Sequence, residues 1–209
     1  MRDATRPGQA DLGSDLRESD EQGGQGPIVG WAVATGAVGL GLLALRLVTP
    51  DGPVASPVSL GLLFAALLAV SVTAPVPPAR ERLLHPAIVL AVGLAAFGFV
   101  AFAGRGNAAG SVTAVSVLLN SEAAVAEEAF FRRFAYGWLE RIGTLVAWGG
   151  SALAFALMHV PFYGTGSFWV NLGAGFMLSW QRWASGGWAA PAATHVVANQ
   201  LAVIGSPVG

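Results

Sequence analysis

The sequence predicts an all-α fold: a polytopic transmembrane helix bundle of about seven spans, preceded by a disordered N-terminal tail. Three observations carry this. Hydrophobic residues make up 54% of the chain and charged residues only 11%, against about 25% charged in a typical soluble domain. The mean hydropathy is +0.61. Apolar runs of roughly 20 residues, the length a span needs, recur between connectors rich in Pro, Gly and Arg. A net charge of −1 offers no basic surface, so no nucleic-acid partner is expected. The absence of cysteine excludes disulfides, thiolate metal sites and a cysteine nucleophile.

Residues 1–26 are acidic and rich in Gln and Gly, without an apolar period. They read as a disordered cytoplasmic tail rather than a signal peptide. Residues 27–209 read as the transmembrane domain. Its spans are expected at Pro27–Val48, Val54–Val76, Pro86–Gly104, Ser111–Phe134, Thr144–Val160, Ser167–Trp183 and Trp188–Gly205. Pro50-Asp51-Gly52-Pro53 ends the first. Pro75, Pro77 and Pro78, then Arg80-Glu81-Arg82, end the second. Arg105-Gly106-Asn107 ends the third, and Ser185-Gly186-Gly187 parts the last two. Trp31, Trp138, Trp169, Trp183 and Trp188 fall near span ends, as an interfacial belt would place them. Gly149, Gly150, Gly173 and Gly175 read as sites of close helix packing.

All positive side chains are arginines, and their placement sets an orientation. With seven spans, Arg2, Arg6, Arg17, Arg80, Arg82, Arg132, Arg133, Arg141 and Arg182 share one side, and only Arg46 and Arg105 take the other. The positive-inside rule then gives a multi-pass cell-membrane protein with a cytoplasmic N-terminus and an outer C-terminus.

Three stretches carry polar groups that membrane helices avoid. They are Glu127-Glu128 followed by Arg132, Phe155 followed by His159, and His195 followed by Asn199. An ionisable group near mid-bilayer costs roughly 2.5–3.5 kcal/mol on insertion scales, so such residues face cavities and mark function. Glu128 and Arg132 stand four apart with the acid first, the favoured order for a helical ion pair. Glu127 lies about 100° round the helix and is free to face elsewhere. Phe155 sits one turn before His159, and His195 one turn before Asn199. Glu127 and His159 are symmetric about Gly143, where Ile142-Gly143-Thr144 makes a plausible turn with Gly as stop and Thr as cap. The pair should therefore share one depth, roughly 3–6 Å apart directly or through one water. His195 and Asn199 are expected to approach the same point from the opposite wall. His85, beside Pro86, reads as interfacial.

These residues resemble the CPBP family, also called ABI: the CAAX-protease and bacteriocin-processing membrane proteins. The pattern is Glu-Glu, three residues, Arg; Phe, three residues, His; and His, three residues, Asn or Asp. It reads here as Glu127-Glu128…Arg132, Phe155…His159 and His195…Asn199, with no departure. The resemblance covers roughly residues 111–201, and the first three spans carry no motif. It implies an intramembrane endopeptidase, with Glu127 and His159 activating a water, His195 and Asn199 stabilising the oxyanion, and Glu128, Arg132 and Phe155 in support. The implied partners are the bilayer and a membrane-embedded or membrane-anchored protein substrate; the oligomeric state is not indicated.

No cofactor is expected. The alternative is zinc on Glu127, His159 and His195, a two-His, one-carboxylate set with an open position. The chain has no His-Glu-x-x-His helix, so metal-free catalysis ranks first. Rival functions are a proton-coupled transporter using the buried Glu and His as a relay, and a catalytically silent bacteriocin-immunity protein. The orientation has its own check: a tag at residue 10 should label only from the cytoplasm and one at residue 209 only from outside. Labelling of both from one side would mean an even number of spans.

Overall fold

The structure, a computed structural model, describes residues 12–48, 56–103 and 113–204. The expected turns at Pro50–Pro53 and Arg105–Asn107, and residues 1–11 of the expected tail, lie outside them. All regular structure among the described residues is helical, with no strand. The order is α1 (Leu12–Val48), α2 (Pro57–Thr73), α3 (Pro86–Ala103), α4 (Ala114–Glu128), a π-helical segment (Ala129–Ala135), α5 (Tyr136–Leu139), α6 (Thr144–Tyr163), a 3₁₀ turn (Thr165–Ser167), α7 (Phe168–Ser185) and α8 (Ala189–Ile204). Helix α4, the π segment and α5 run on without a break, so the described residues form seven rods.

Local chemistry sets the rod ends. Ser56 accepts from the Ser59 amide at 3.1 Å, with Pro57 at the first helical position of α2. Thr113 and Ser116 close a reciprocal capping box on α4. Gly164 and Gly186 end α6 and α7 with φ of +76° and +68°, a region that favours glycine.

Two expectations are corrected here. Helix α1 begins at Leu12, so residues 12–26 are helical rather than a structureless tail. Adding residues to a helix already nucleated by its apolar half is far easier than starting one, which outweighs the glycines of this stretch. At the hairpin, Gly143 itself is the N-cap of α6 and Thr144 its first residue, while the chain turns over Glu140–Ile142. Thr144 instead receives a hydrogen bond from Arg80 Nη1 at 3.0 Å.

The close-packing glycines divide. A Cβ on Gly175 would lie 2.9 Å from the Ala152 Cα, and one on Gly150 would lie 3.0 Å from Leu139 Cδ1, so both hold helices together. Gly149 and Gly173 face open space. Two glycines not singled out by sequence are tighter still. Gly39 faces the Phe130 ring, 2.2 Å from its would-be Cβ, and Gly93 faces the Gln181 side chain at 2.1 Å. Gln181 Nε2 uses that approach to donate to Val89 O at 2.9 Å and Thr194 Oγ1 at 2.8 Å, tying α7 to α3 and α8.

The distribution of side chains is inverted relative to a water-soluble bundle. Glu127, Glu128, Arg132, Gln181, Arg182 and His195 are buried, while Leu145, Trp169, Phe99 and Leu118 are 84%, 74%, 72% and 68% exposed. Among the described residues, two stretches are long and apolar enough to cross a membrane, Ile28–Leu47 and Thr144–Tyr163; Pro57–Thr73 and Pro86–Phe102 are apolar but shorter. Among the expected interfacial tryptophans, Trp31 and Trp169 are exposed. Trp138 donates to Pro75 O at 3.0 Å, and Trp183 packs edge-on against Trp148.

The Gly175–Ala152 contact gives a direct test. Gly175→Val must push α6 and α7 apart, because its first obstacle is backbone. Overpacking of this kind costs roughly 1–3 kcal/mol, to be read as a lower unfolding midpoint in detergent. Gly173→Val, in open space, should leave that midpoint unchanged.

Candidate active site

The site grows from the end of α4. Glu127 and Glu128 are adjacent, so their side chains leave the helix about 100° apart and meet different neighbours. Glu128 Oε1 accepts from Arg132 Nη1 at 3.2 Å and from His195 Nδ1 at 3.0 Å, with the two acidic and basic side chains fully buried. Arg132 Nη2 also donates to Gly175 O at 3.1 Å, and its guanidinium lies 4.6 Å from the Phe155 ring centroid. The expected Glu128–Arg132 pair is therefore present, with His195 as a third member.

Glu127 looks the other way. Its Oε2 lies 3.8 Å from His159 Nε2, inside the separation expected from the hairpin. The His159 ring is oriented by its other nitrogen, which is 2.8 Å from Phe155 O. A carbonyl only accepts, so Nδ1 carries the proton and donates. In the neutral ring, Nε2 then turns a lone pair toward Glu127. Two acceptors at this distance suit a shared water, which has two protons to give them. Phe155 is the platform between the histidines: its ring centroid is 4.3 Å from that of His159 and 5.5 Å, edge to face, from that of His195.

Three expectations change. His195 approaches Glu128 rather than the Glu127–His159 gap, because α8 packs against the Glu128 side of α4. Asn199 spends one donor on α4: its Nδ2 donates to Asn120 O at 3.3 Å. Glu127 is not unpaired, since Arg46 of α1 donates from Nη1 to its Oε1 at 2.8 Å. Sequence reading had placed Arg46 only as an outer-side charge. The missed signal was an arginine at the end of an apolar run, which needs a carboxylate as much as a buried glutamate needs a cation.

The π segment was also missed. Its i→i+5 bonds turn more slowly than an α-helix, and five of its seven residues, Ala129, Phe130, Phe131, Arg132 and Phe134, are buried. Where i→i+5 pairing reverts to i→i+4, a carbonyl is skipped and needs another donor. Arg182 Nε donates to Arg132 O at 3.0 Å; Phe131 O, which accepts from the Tyr136 amide, accepts from Ser151 Oγ as well, at 3.1 Å. Both members of the double Phe are buried, whereas of the double Arg only Arg132 is, with Arg133 half-buried.

Of the residues named for zinc, Glu127 has one oxygen held by a guanidinium, and His195 gives Nδ1 to Glu128. No three His, Asp or Glu side chains among the described residues are grouped to hold a metal ion.

Removing the Glu128 charge should be costly. Glu128→Gln leaves the buried Arg132 uncompensated, and breaking such a pair from one side costs roughly 3–5 kcal/mol. Reversible unfolding in mixed micelles should show the loss, with a smaller one for Glu127→Gln, whose partner Arg46 is partly exposed. Equal losses would remove the distinction between the two glutamates.

Residues 109–201 match the family described as type II CAAX prenyl endopeptidase Rce1-like. No curated protein and no solved structure matches the chain. The matched stretch holds all three parts of the Glu-Glu…Arg, Phe…His and His…Asn pattern, so the match to the Rce1-like family is in keeping with the CPBP resemblance.

Proposed function

We propose that this protein is an intramembrane endopeptidase, a hydrolase that cleaves peptide bonds of membrane-associated, prenylated protein substrates. The observation that carries the reading is the pair of facing acceptors, Glu127 Oε2 and His159 Nε2, 3.8 Å apart in a buried setting. Its location within the Rce1-like stretch supports it. The inverted surface, apolar outside and charged within, supports a bilayer as solvent. In this reading all seven rods cross the membrane, with the N-terminus cytoplasmic and the C-terminus outside.

The chemistry follows from the donors and acceptors. A water gives one proton toward Glu127 Oε2 and the other toward His159 Nε2. As its oxygen adds to the peptide carbonyl, Glu127 takes the proton, and general-base assistance of this kind is worth about 10²–10⁴-fold. The carbonyl oxygen becomes an oxyanion, and the C–N bond breaks as the proton passes to the leaving amine. His195 and Asn199 are the proposed oxyanion donors. His195 spends Nδ1–H on Glu128, so it donates from Nε2 only as imidazolium. Asn199 keeps one N–H on Asn120 and has a second to offer. Such donors contribute roughly 3–4 kcal/mol where they reach the oxyanion. No metal takes part in this scheme.

The test uses the full-length protein in lipid nanodiscs with a prenylated peptide bearing a C-terminal tripeptide. Glu127→Gln and His159→Ala should each abolish release of the tripeptide while the protein stays folded. Wild-type activity should survive prolonged chelation, with no zinc retained near one per chain. Full activity in Glu127→Gln overturns the assignment, and activity restored only by zinc overturns the metal-free form.

A further inference from the structure

Arg46 lies outside residues 109–201 and outside every part of the motif pattern, yet it makes the shortest contact to Glu127. Its guanidinium is held from two sides, 4.4 Å from the Phe162 ring centroid of α6 and 5.1 Å from the Phe64 ring centroid of α2. Cation–π contacts at this range fix a side chain that would otherwise sample many rotamers. From that position Nη1 donates to Glu127 Oε1 at 2.8 Å, a charge-assisted bond. Only Oε2 is then left to face His159. A second feature points the same way. Gly39 stands seven residues before Arg46, on the same face of α1, and a Cβ there would meet the Phe130 ring at 2.2 Å. Gly36, one turn earlier, faces the Phe134 ring at 3.6 Å. This glycine face lets α1 lie close against the π segment, which is what brings Arg46 within reach of Glu127.

We propose that Arg46 is a positioning residue for the hydrolysis: it clamps one oxygen of Glu127 and turns the other toward His159. The inference rests on the protease reading above. It makes α1 a working part of a site whose recognisable motifs all lie in α4, the π segment, α6 and α8. The proton taken from water goes to Oε2, and Arg46 keeps its own protons throughout.

The experiment compares kcat and KM for wild type, Arg46→Met, Arg46→Lys, Arg46→Ala and Gly39→Leu in nanodiscs, with the same prenylated peptide. Misplacing a reacting group by about 1 Å can cost roughly 10²-fold. Arg46→Met should therefore lose about 10²-fold in kcat with KM within about threefold of wild type. Arg46→Lys should recover at least about a third of the loss on a logarithmic scale, as a cation without the planar fork. Ethylguanidinium added to Arg46→Ala should restore activity, and added to Glu127→Gln should not. Gly39→Leu should lower kcat with the charges intact. Undiminished or higher activity in Arg46→Met overturns the proposal, because the contact would then be dispensable or a latch. Equal losses in Met and Lys variants, no rescue by ethylguanidinium and a lowered unfolding midpoint also overturn it, in favour of a purely structural ion pair. A wild type that cleaves no peptide overturns the protease reading itself, which the Arg46 variants alone cannot do.

Discussion

The buried Glu128–Arg132 pair is the constraint on which the rest of the bundle depends. Two opposite charges with no exposed side-chain surface must be satisfied by protein alone, and every partner they recruit belongs to a different helix. His195 comes from α8, Gly175 O from α7, and the Phe155 ring under the guanidinium from α6. The carbonyl of Gly175 is reachable because that residue has no side chain and α7 lies directly on Ala152 of α6. Glu128 Oε2 and Arg132 Nε remain without a hydrogen-bond partner, so the cluster is not fully satisfied even so. Such a cluster adds little to stability compared with apolar packing, but it strongly penalises any arrangement in which one helix is displaced.

Adjacent glutamates make a division of labour out of helix geometry. One residue's rotation sends Glu128 into the structural cluster and Glu127 toward His159, with a separate cation for each. Phe155 joins the two halves, touching both histidines on one ring. The π segment directly after the pair keeps Phe130, Phe131 and Phe134 in the core together, and Ser151 and Arg182 satisfy carbonyls along it.

Most of the rods were legible in sequence because apolar length and Pro/Gly punctuation are local signals. Depth was legible too: counting back from Gly143 placed Glu127 beside His159. Azimuth was not. Nothing in the His195–Asn199 spacing says which glutamate α8 faces, and Asn199 turned out to bond a backbone carbonyl of α4. Arg46 was misread because the positive-inside rule treats an arginine as a topological marker and not as a partner. The tail was misread because composition argues against nucleating a helix, and here nucleation comes from the apolar residues that follow. The span count rests on composition for only two rods, since helices with buried polar faces, such as α4 and α8, dilute the apolar signal.

The π segment has a mechanical consequence. A stretch of i→i+5 bonds stores one residue of slack, which can be taken up by re-pairing to i→i+4 without lengthening the connectors at either end. Such a slip would swivel everything on its N-terminal side by about one residue, near 100°. The glutamates sit on the first residues beyond the slack, while Arg182 and Ser151 grip the carbonyls within it. Their grip on these carbonyls opposes such re-pairing, so the two side chains help hold the carboxylates at their present rotation about the rod.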